Sequence, residues 1–231
     1  MIVRNWMSTN VITVNINDSV QDAINLLGQH NSSILPVESD GKIVGLITHR
    51  DLRKLGDTKG TRLDTRNIPE AVLQQKVDSI MCRSIIAVPP EYTVEEASQL
   101  LLERRIPGCP VLDYNGQIVG IITKKDLLKA FTEASGVTSM GILFGFLVED
   151  REECINDVLK VLHKHDARLM AIMSLYANAP EGHKFLYIRC LHINDTAPAA
   201  IPKELGNTAK LILIVDRNKG IREMFADCES R

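Results

Sequence analysis

Gly120-Ile121-Ile122-Thr123-Lys124-Lys125-Asp126-Leu127 occurs a second time, with changes, as Gly45-Leu46-Ile47-Thr48-His49-Arg50-Asp51-Leu52. Each copy follows a Pro-Val pair, Pro36-Val37 in the first case and Pro110-Val111 in the second. Gly-apolar-apolar reads as the end of a buried strand whose glycine meets a close neighbour. Thr, with Asp three residues on, suits a strand turning into a helix: Thr stands near the N-cap and Asp in the first turn. The residues leave two readings open. In one, Thr caps the helix and Asp complements its dipole. In the other, hydroxyl and carboxylate face a cleft at the strand end. There they hold a hydroxylated ligand such as a ribose, with free backbone N–H groups offered to an anion. Duplication inside a longer repeat favours the second.

The longer repeat is real. Its first copy opens at Trp6-Met7 and its second at Ile80-Met81. An offset of 74 holds through Val14/Val88, Val20/Val94, Ala23/Ala97, Leu26/Leu100 and Pro36/Pro110. It becomes 75 at Gly41/Gly116 and stays so through Thr48/Thr123 and Asp51/Asp126. One residue has entered the turn Asp113-Tyr114-Asn115-Gly116. A constant register with one turn insertion marks a structural repeat. In each copy a β-branched run, Val11–Val14 in the first, predicts a strand. A helix follows, opened by Ser19 with Asp22 or by the capping box Thr93 with Glu96. The Pro-Val strand reads as an edge or a strand start because proline has no N–H to donate. Asp40-Gly41 is a hairpin turn. Residues 55–75 read as a linker with a short helix at 69–75.

Bulk properties narrow the function. The chain has 231 residues, 45% hydrophobic and 24% charged, with a net charge of −2. That is ordinary globular composition with no electrostatic footprint for nucleic acid. No apolar run is long enough to span a membrane, and no signal peptide is visible at the N-terminus. Five scattered cysteines without a Cys-x-x-Cys pair predict reduced thiols in a cytoplasmic protein.

Taken together, the Met, the strand, the capped helix, x-Pro-Val, the Asp-Gly-type turn and Gly-h-h-Thr-x-x-Asp-Leu resemble the cystathionine-β-synthase (CBS) domain, here as a tandem pair over residues 1–132. The resemblance implies two repeats, 1–76 with its linker and 77–132, packed into one pseudo-twofold module. Two clefts between them would take an adenine nucleotide: AMP, ADP or ATP. The family's ribose-binding pair maps onto Thr48 and Asp51 and onto Thr123 and Asp126. Its adenine-lining positions map onto Val11, Ile12, Leu35 and Pro36, and onto Ile85, Ile86, Cys109 and Pro110. Cations beside these places favour a phosphorylated ligand over S-adenosylmethionine, because charge-assisted hydrogen bonds suit phosphate. They are Arg50, Lys124 and Arg105, with His49, Lys125 and Arg104 next to them. His30-Asn31 stand where Arg104-Arg105 do, so the Thr123–Asp126 cleft is expected to be the stronger site.

The last hundred residues change character. Residues 133–140 read as a connector around Gly136. Strand 141–148, helix 153–165, strands 169–176 and 184–191, a proline-interrupted helix 197–205 and strand 210–215 give βαββαβ, a ferredoxin-like order. That order behind a ligand-regulated module resembles the ACT domain, here 141–216, followed by a tail at 217–231. The turn Asp150-Arg151-Glu152-Glu153 lacks the glycine of amino-acid-binding ACT domains. A CBS pair followed by an ACT-like unit resembles the acetoin-utilisation (AcuB) family. The fold class expected is α+β. The resemblance implies a regulatory, non-catalytic sensor in acetoin or central carbon metabolism. It would act as a homodimer through both kinds of domain and pass ligand occupancy to the ACT-like unit or to a partner protein. No catalytic motif is present, and the histidines and cysteines make no ligand spacing, so no metal is expected.

Overall fold

A computed structural model describes residues 1–55 and 68–225, so most of the expected linker lies outside the described residues. The chain divides into two compact units, Met1–Ala130 and Phe131–Arg231.

In the first unit, β1 (Val14–Asn15), α1 (Val20–Gln29), β2 (Ile34–Ser39), β3 (Lys42–Thr48) and α2 (His49–Arg53) form one half. After α3 (Glu70–Leu73), the second half holds α4 (Val94–Glu103), β4 (Gly108–Leu112), β5 (Ile118–Thr123) and the start of α5 (Lys124–Ala134). The helices begin where the sequence places them. Asp22 N donates to Ser19 Oγ and Ser19 N to Asp22 Oδ2, each at 3.1 Å. Thr93 and Glu96 repeat this at 3.1 and 2.8 Å. Val20, Ala23, Ile24 and Leu27 of α1 form the buried stripe, as do Val94, Ala97 and Leu101 of α4. The hairpin between β2 and β3 turns on Asp40 and Gly41, both at positive φ.

Two expectations are corrected. The first strand is short: only Val14 and Asn15 pair, with Val37 and Glu38, and in the second half Val88 alone bridges to Val111. Val11 packs instead on the cluster of Ile34, Leu46 and Ile121, and Ile12 packs on the first half's own core. Nor is Pro36 on an edge, since the strand order is β1-β2-β3. The proline is tolerated because its opposite, Leu46, spends both backbone groups on Cys82, at 2.9 Å each. Pro110 faces Ile121, which exchanges the same two bonds with Ser8, while the Pro110 carbonyl accepts Val88 N at 3.1 Å. Neither proline nitrogen is asked to donate.

The segment ahead of each repeat packs on the opposite half. Val3 is fully buried among Val88, Val94, Leu101 and Ile122, with Trp6 and Met7 against the same cluster. Val77 and Met81 join Val14, Leu27, Ile47 and Leu52. Val94 N, an orphan donor at the start of α4, reaches Met1 O at 2.9 Å, and Val20 N of α1 reaches Gln75 O at 2.9 Å. The sequence repeat and the packed half therefore do not coincide. Ile34, Leu46 and Ile121 form a third buried cluster that joins the halves.

The second unit contains β6 (Ile142–Glu149), α6 (Cys154–Lys164), β7 (Arg168–Leu175), β8 (His183–His192), α7 (Ala197–Leu205), β9 (Ala209–Asp216) and β10 (Ile221–Met224). Its antiparallel sheet runs β10-β9-β6-β8-β7. Phe144, Phe146, Leu186 and Ile188 form one buried core with Val158 and Leu162 of α6 and Ala197 and Ile201 of α7. Within the expected tail, Ile221–Met224 form the fifth strand, β10. Residues 133 and 134, expected in the connector, are the last turn of α5. The connector carbonyls of Ser135 and Val137 accept from Arg189 Nε, at 2.9 Å, and from Arg217. No helix among the described residues is long and apolar enough to cross a membrane.

Candidate functional site

Both octets turn from strand into helix at their threonine. Thr48 N and Oγ1 donate to Asp51 Oδ2 at 3.0 and 2.7 Å. Thr123 N and Oγ1 donate to Asp126 Oδ2 at 2.9 and 2.5 Å. One carboxylate oxygen thus takes two donors at the helix start, so the capping reading is correct. The same four side chains are half-buried and each pair ends a cleft. The cap fixes where the carboxylate points; it does not use the group up.

The clefts lie between the two halves of the first unit. The Thr123–Asp126 cleft encloses about 370 Å³, and its opposite wall comes from the first half: Ser8, Asn10, Ile12, His30, Asn31, Ser32, Ser33 and Leu35. The Thr48–Asp51 cleft encloses about 250 Å³, and its opposite wall comes from the second half: Cys82, Ser84, Ile86, Arg105, Ile106 and Pro107. Most walls correspond under the repeat offset. Ser8 matches Cys82, Asn10 matches Ser84, Ile12 matches Ile86, and Asn31 matches Arg105. Apolar side chains beside a Thr-x-x-Asp end fit a flat ring joined to a hydroxylated sugar.

Of the expected site residues, Thr48, Arg50, Asp51, Ile86 and Arg105 line one cleft, and Ile12, Leu35, Thr123 and Asp126 line the other. The expected grouping by repeat is corrected: the Thr48–Asp51 cleft combines Ile34 and Leu46 of its own half with Ile86, Ile106 and Pro107 of the other, and the Thr123–Asp126 cleft combines Ile121 with Ile12 and Leu35. Val11 and Ile85 pack in the joining cluster. Pro36, Pro110 and Cys109 are buried outside both linings, and burial pushes the Cys109 thiol up to about 12. Lys124 is exposed outside the lining, and Lys125 takes the place expected of it. Arg105, on which the expected strength of the Thr123–Asp126 cleft rested, lines the other cleft. It stands there with Arg50 and Lys54, whose Nζ lies 3.2 Å from Asp51 Oδ1. Arg50 Nη2 donates to the Arg105 carbonyl at 3.3 Å. The other cleft has Lys125 and His30. Ser8, Asn10, Ser32, Ser33, Lys54, Cys82 and Ser84 were missed. The repeat offset pairs most of them and was the available signal.

Among the described residues no group of three His, Cys, Asp or Glu side chains is placed to hold a metal ion. His165 Nε2 sits 2.7 Å from Glu204, and Lys184 pairs with Asp150 at 2.9 Å in the second unit.

The CBS domain family matches residues 3–57 and 77–133. A CBS domain-containing protein of Dictyostelium discoideum is 32% identical over 129 residues, which are 55% of this chain and 89% of that protein. The inosine-5'-monophosphate dehydrogenase of Methanocaldococcus jannaschii is 32% identical over 120 residues, 52% of this chain but only 21% of the enzyme. A solved structure, CBSX2 in complex with AMP, aligns with 57% of this chain and 97% of its own at 28% identity and a TM-score of 0.48. Two repeats in constant register, two matched clefts and a relative covered over most of its length lead to one conclusion: the chain belongs to the CBS-domain-containing proteins.

Proposed function

We propose that residues 1–132 form a regulatory, non-catalytic module that binds an adenine nucleotide, AMP, ADP or ATP, in the cytoplasm. Occupancy is passed to the C-terminal unit or to a partner protein. The observation that carries this reading is the pair of matched clefts, each with a capped Thr-x-x-Asp from one half and apolar side chains from both. The carboxylate suits ribose hydroxyls, the apolar side chains suit the base, and the cations at the rim suit phosphate. A ligand that bridges two halves binds one arrangement of them better than another, and that difference is what regulation needs.

The C-terminal unit, 141–216, is proposed to be an ACT-type domain. The strand order β9-β6-β8-β7, with two helices on one face, supports it. A CBS pair ahead of such a unit supports a place in the acetoin-utilisation (AcuB) group. The protein is also proposed to be a homodimer. Strand β7, at one edge of its sheet, exposes Met170, Ile172 and Leu175, and an apolar edge of this kind favours pairing with a second copy.

Calorimetric titration of AMP, ADP and ATP into wild-type protein and into the D51N/D126N double variant tests the nucleotide reading. A Kd in the micromolar range, about −8 kcal/mol, is expected for wild type and is lost in the variant. The same samples should leave ATP intact. No heat with any nucleotide would reduce the octets to helix caps.

A further inference from the structure

Among the described residues, four polar or charged side chains are buried: Ser135, Lys184, Arg189 and Asp216, all in the second unit. A buried polar group is costly unless its hydrogen bonds are made, and a buried charge more so. Three of the four are satisfied. Ser135 Oγ donates to the Thr132 carbonyl at 3.0 Å, and Lys184 Nζ lies 2.9 Å from Asp150 Oδ1. Asp216 Oδ1 accepts from Asn218 N and Lys219 N at 2.9 and 3.1 Å. Arg189 is the exception. It is 5% exposed, and its Nε donates to the Ser135 carbonyl at 2.9 Å. Its Nη1 is buried and meets no acceptor among the described residues. Lys184, on the same strand, shows that β8 can bury a cation together with an acid.

The register sets Arg189 opposite Leu143 and Ala171, on the sheet face away from the core, since Ile188 and Cys190 belong to the core. The connector lies against that face. A Cβ at Gly136 would sit 2.8 Å from Met170 Sδ and 3.0 Å from Arg189 Cδ, so the backbone there rests on the arginine stem. Arg217 donates from Nη1 to the Val137 carbonyl, close along the chain to the Ser135 carbonyl that Arg189 holds. Burial, with the Arg217 charge nearby, holds the Arg189 guanidinium below its ordinary range. Among the described residues no salt bridge joins either arginine to an acid. Glu133, just ahead of this segment, accepts from Thr138 Oγ1 at 3.1 Å, and Asp216 is committed to its own turn.

We propose that Arg189 and Arg217 together form a site for a small oxyanion, a carboxylate or a phosphate group. A guanidinium carries five donors in a planar fork that matches such a group. Arg217 is exposed, and the anion enters from its side. It takes donors that the connector carbonyls leave over and offsets the buried charge, in charge-assisted bonds stronger than those to a neutral carbonyl. The bound anion then ties β8 and the turn after β9 to the segment that follows α5. The site shares no residue with the two clefts and does not rest on the nucleotide reading.

The test is alkylation of the full chain followed by peptide mapping, in urea at a concentration where the second unit opens slowly. Sodium phosphate or sodium acetate replaces sodium chloride at equal ionic strength. Cys154 and Cys190, buried in the second unit, report its opening, and Cys109 reports that of the first. Labelling of Cys154 and Cys190 should be halved when the anion equals its Kd, and slowed about tenfold at about ten times that concentration. Slowing by acetate identifies a carboxylate ligand and slowing by phosphate alone a phosphoryl one; either supports the site. Arg189→Met leaves an apolar side chain that needs no partner, and it should remove the protection. Equal protection in Arg189→Met, or none in wild type up to about 0.15 M anion, overturns the proposal. Protection of Cys109 alone places the anion in the clefts and overturns it too. Should Arg189→Met fail to fold, Arg217→Met, at an exposed position, decides: the Kd should rise about tenfold or more, and an unchanged Kd overturns the proposal.

Discussion

Asp51 and Asp126 show how one residue serves two ends. Each caps a helix through its threonine, and the cap aims the carboxylate into a cleft. The octet glycines are equally local in cause and distant in effect. A Cβ at Gly45 would lie 2.5 Å from Met81 Sδ and 3.2 Å from Cys82 O; at Gly120 it would lie 2.6 Å from Met7 Sδ and 3.0 Å from Ser8 O. Gly120→Ala should therefore cost about 1–3 kcal/mol by overpacking, read as a lowered urea midpoint. Adding Met7→Ala should recover part of the loss, and two independent losses would sink this account. Thiol chemistry is also decided residue by residue. Burial lifts Cys109 to about 12 and Cys190 to about 11. Alkylation near pH 8 should reach Cys82 and leave Cys109, Cys154 and Cys190 unlabelled until the protein unfolds, with peptide mapping as the readout. Thr and Asp could be read from the sequence because their spacing states a cap. That Lys125, not Lys124, lines the cleft could not, because it depends on where the first turn of α5 faces its neighbour.

Elements follow the sequence wherever their causes are local. Both capping boxes, the amphipathic stripes and the Asp40-Gly41 hairpin stand where spacing put them. Thr93→Ala should cost about 1 kcal/mol in thermal or urea unfolding. The capping carboxyls also set a pH dependence. Hydrogen bonds from Ser19 hold Asp22 below the usual carboxylate range, and those from Thr93 hold Glu96 below it. A carboxyl that is more acidic in the folded state stabilises the fold above its ordinary pKa. It loses that contribution as pH falls through the lowered value. Asp22→Asn should therefore destabilise at neutral pH, with the gap to wild type closing below about pH 4; a constant gap would mean the charge plays no part. Strand β10 escaped because its four residues are all exposed and carry no buried alternation, so only pairing with β9 reveals it. The β1 strand was read too long because Val11 and Ile12 are apolar for different reasons: Val11 packs in the cluster that joins the halves, and Ile12 packs on the first half's core beside the Thr123–Asp126 cleft.

At the scale of the whole molecule, the exchanged leaders make the two halves of the first unit interdependent. Trp6, the chain's one tryptophan, belongs by sequence to the first repeat and packs in the core of the second half. Leu101→Ala, at a fully buried position of that core, should change native Trp6 emission and cost about 2–5 kcal/mol. Leu27→Ala, in the first half's core, should cost a similar amount and leave the native emission unchanged. Emission that responds to Leu27 rather than Leu101 would contradict the exchange. By itself the sequence determined the repeat, the order of elements as far as β9, the helix caps and the spacing of the four Thr and Asp residues, because each is written in the local pattern of the chain. The tertiary structure decided which residues face each Thr-x-x-Asp pair, which cleft Arg105 lines and what Val3, Met7 and Met81 pack on. Those depend on a pseudo-twofold packing that brings residues some 74 positions apart to equivalent places. No local spacing records across which axis the halves meet.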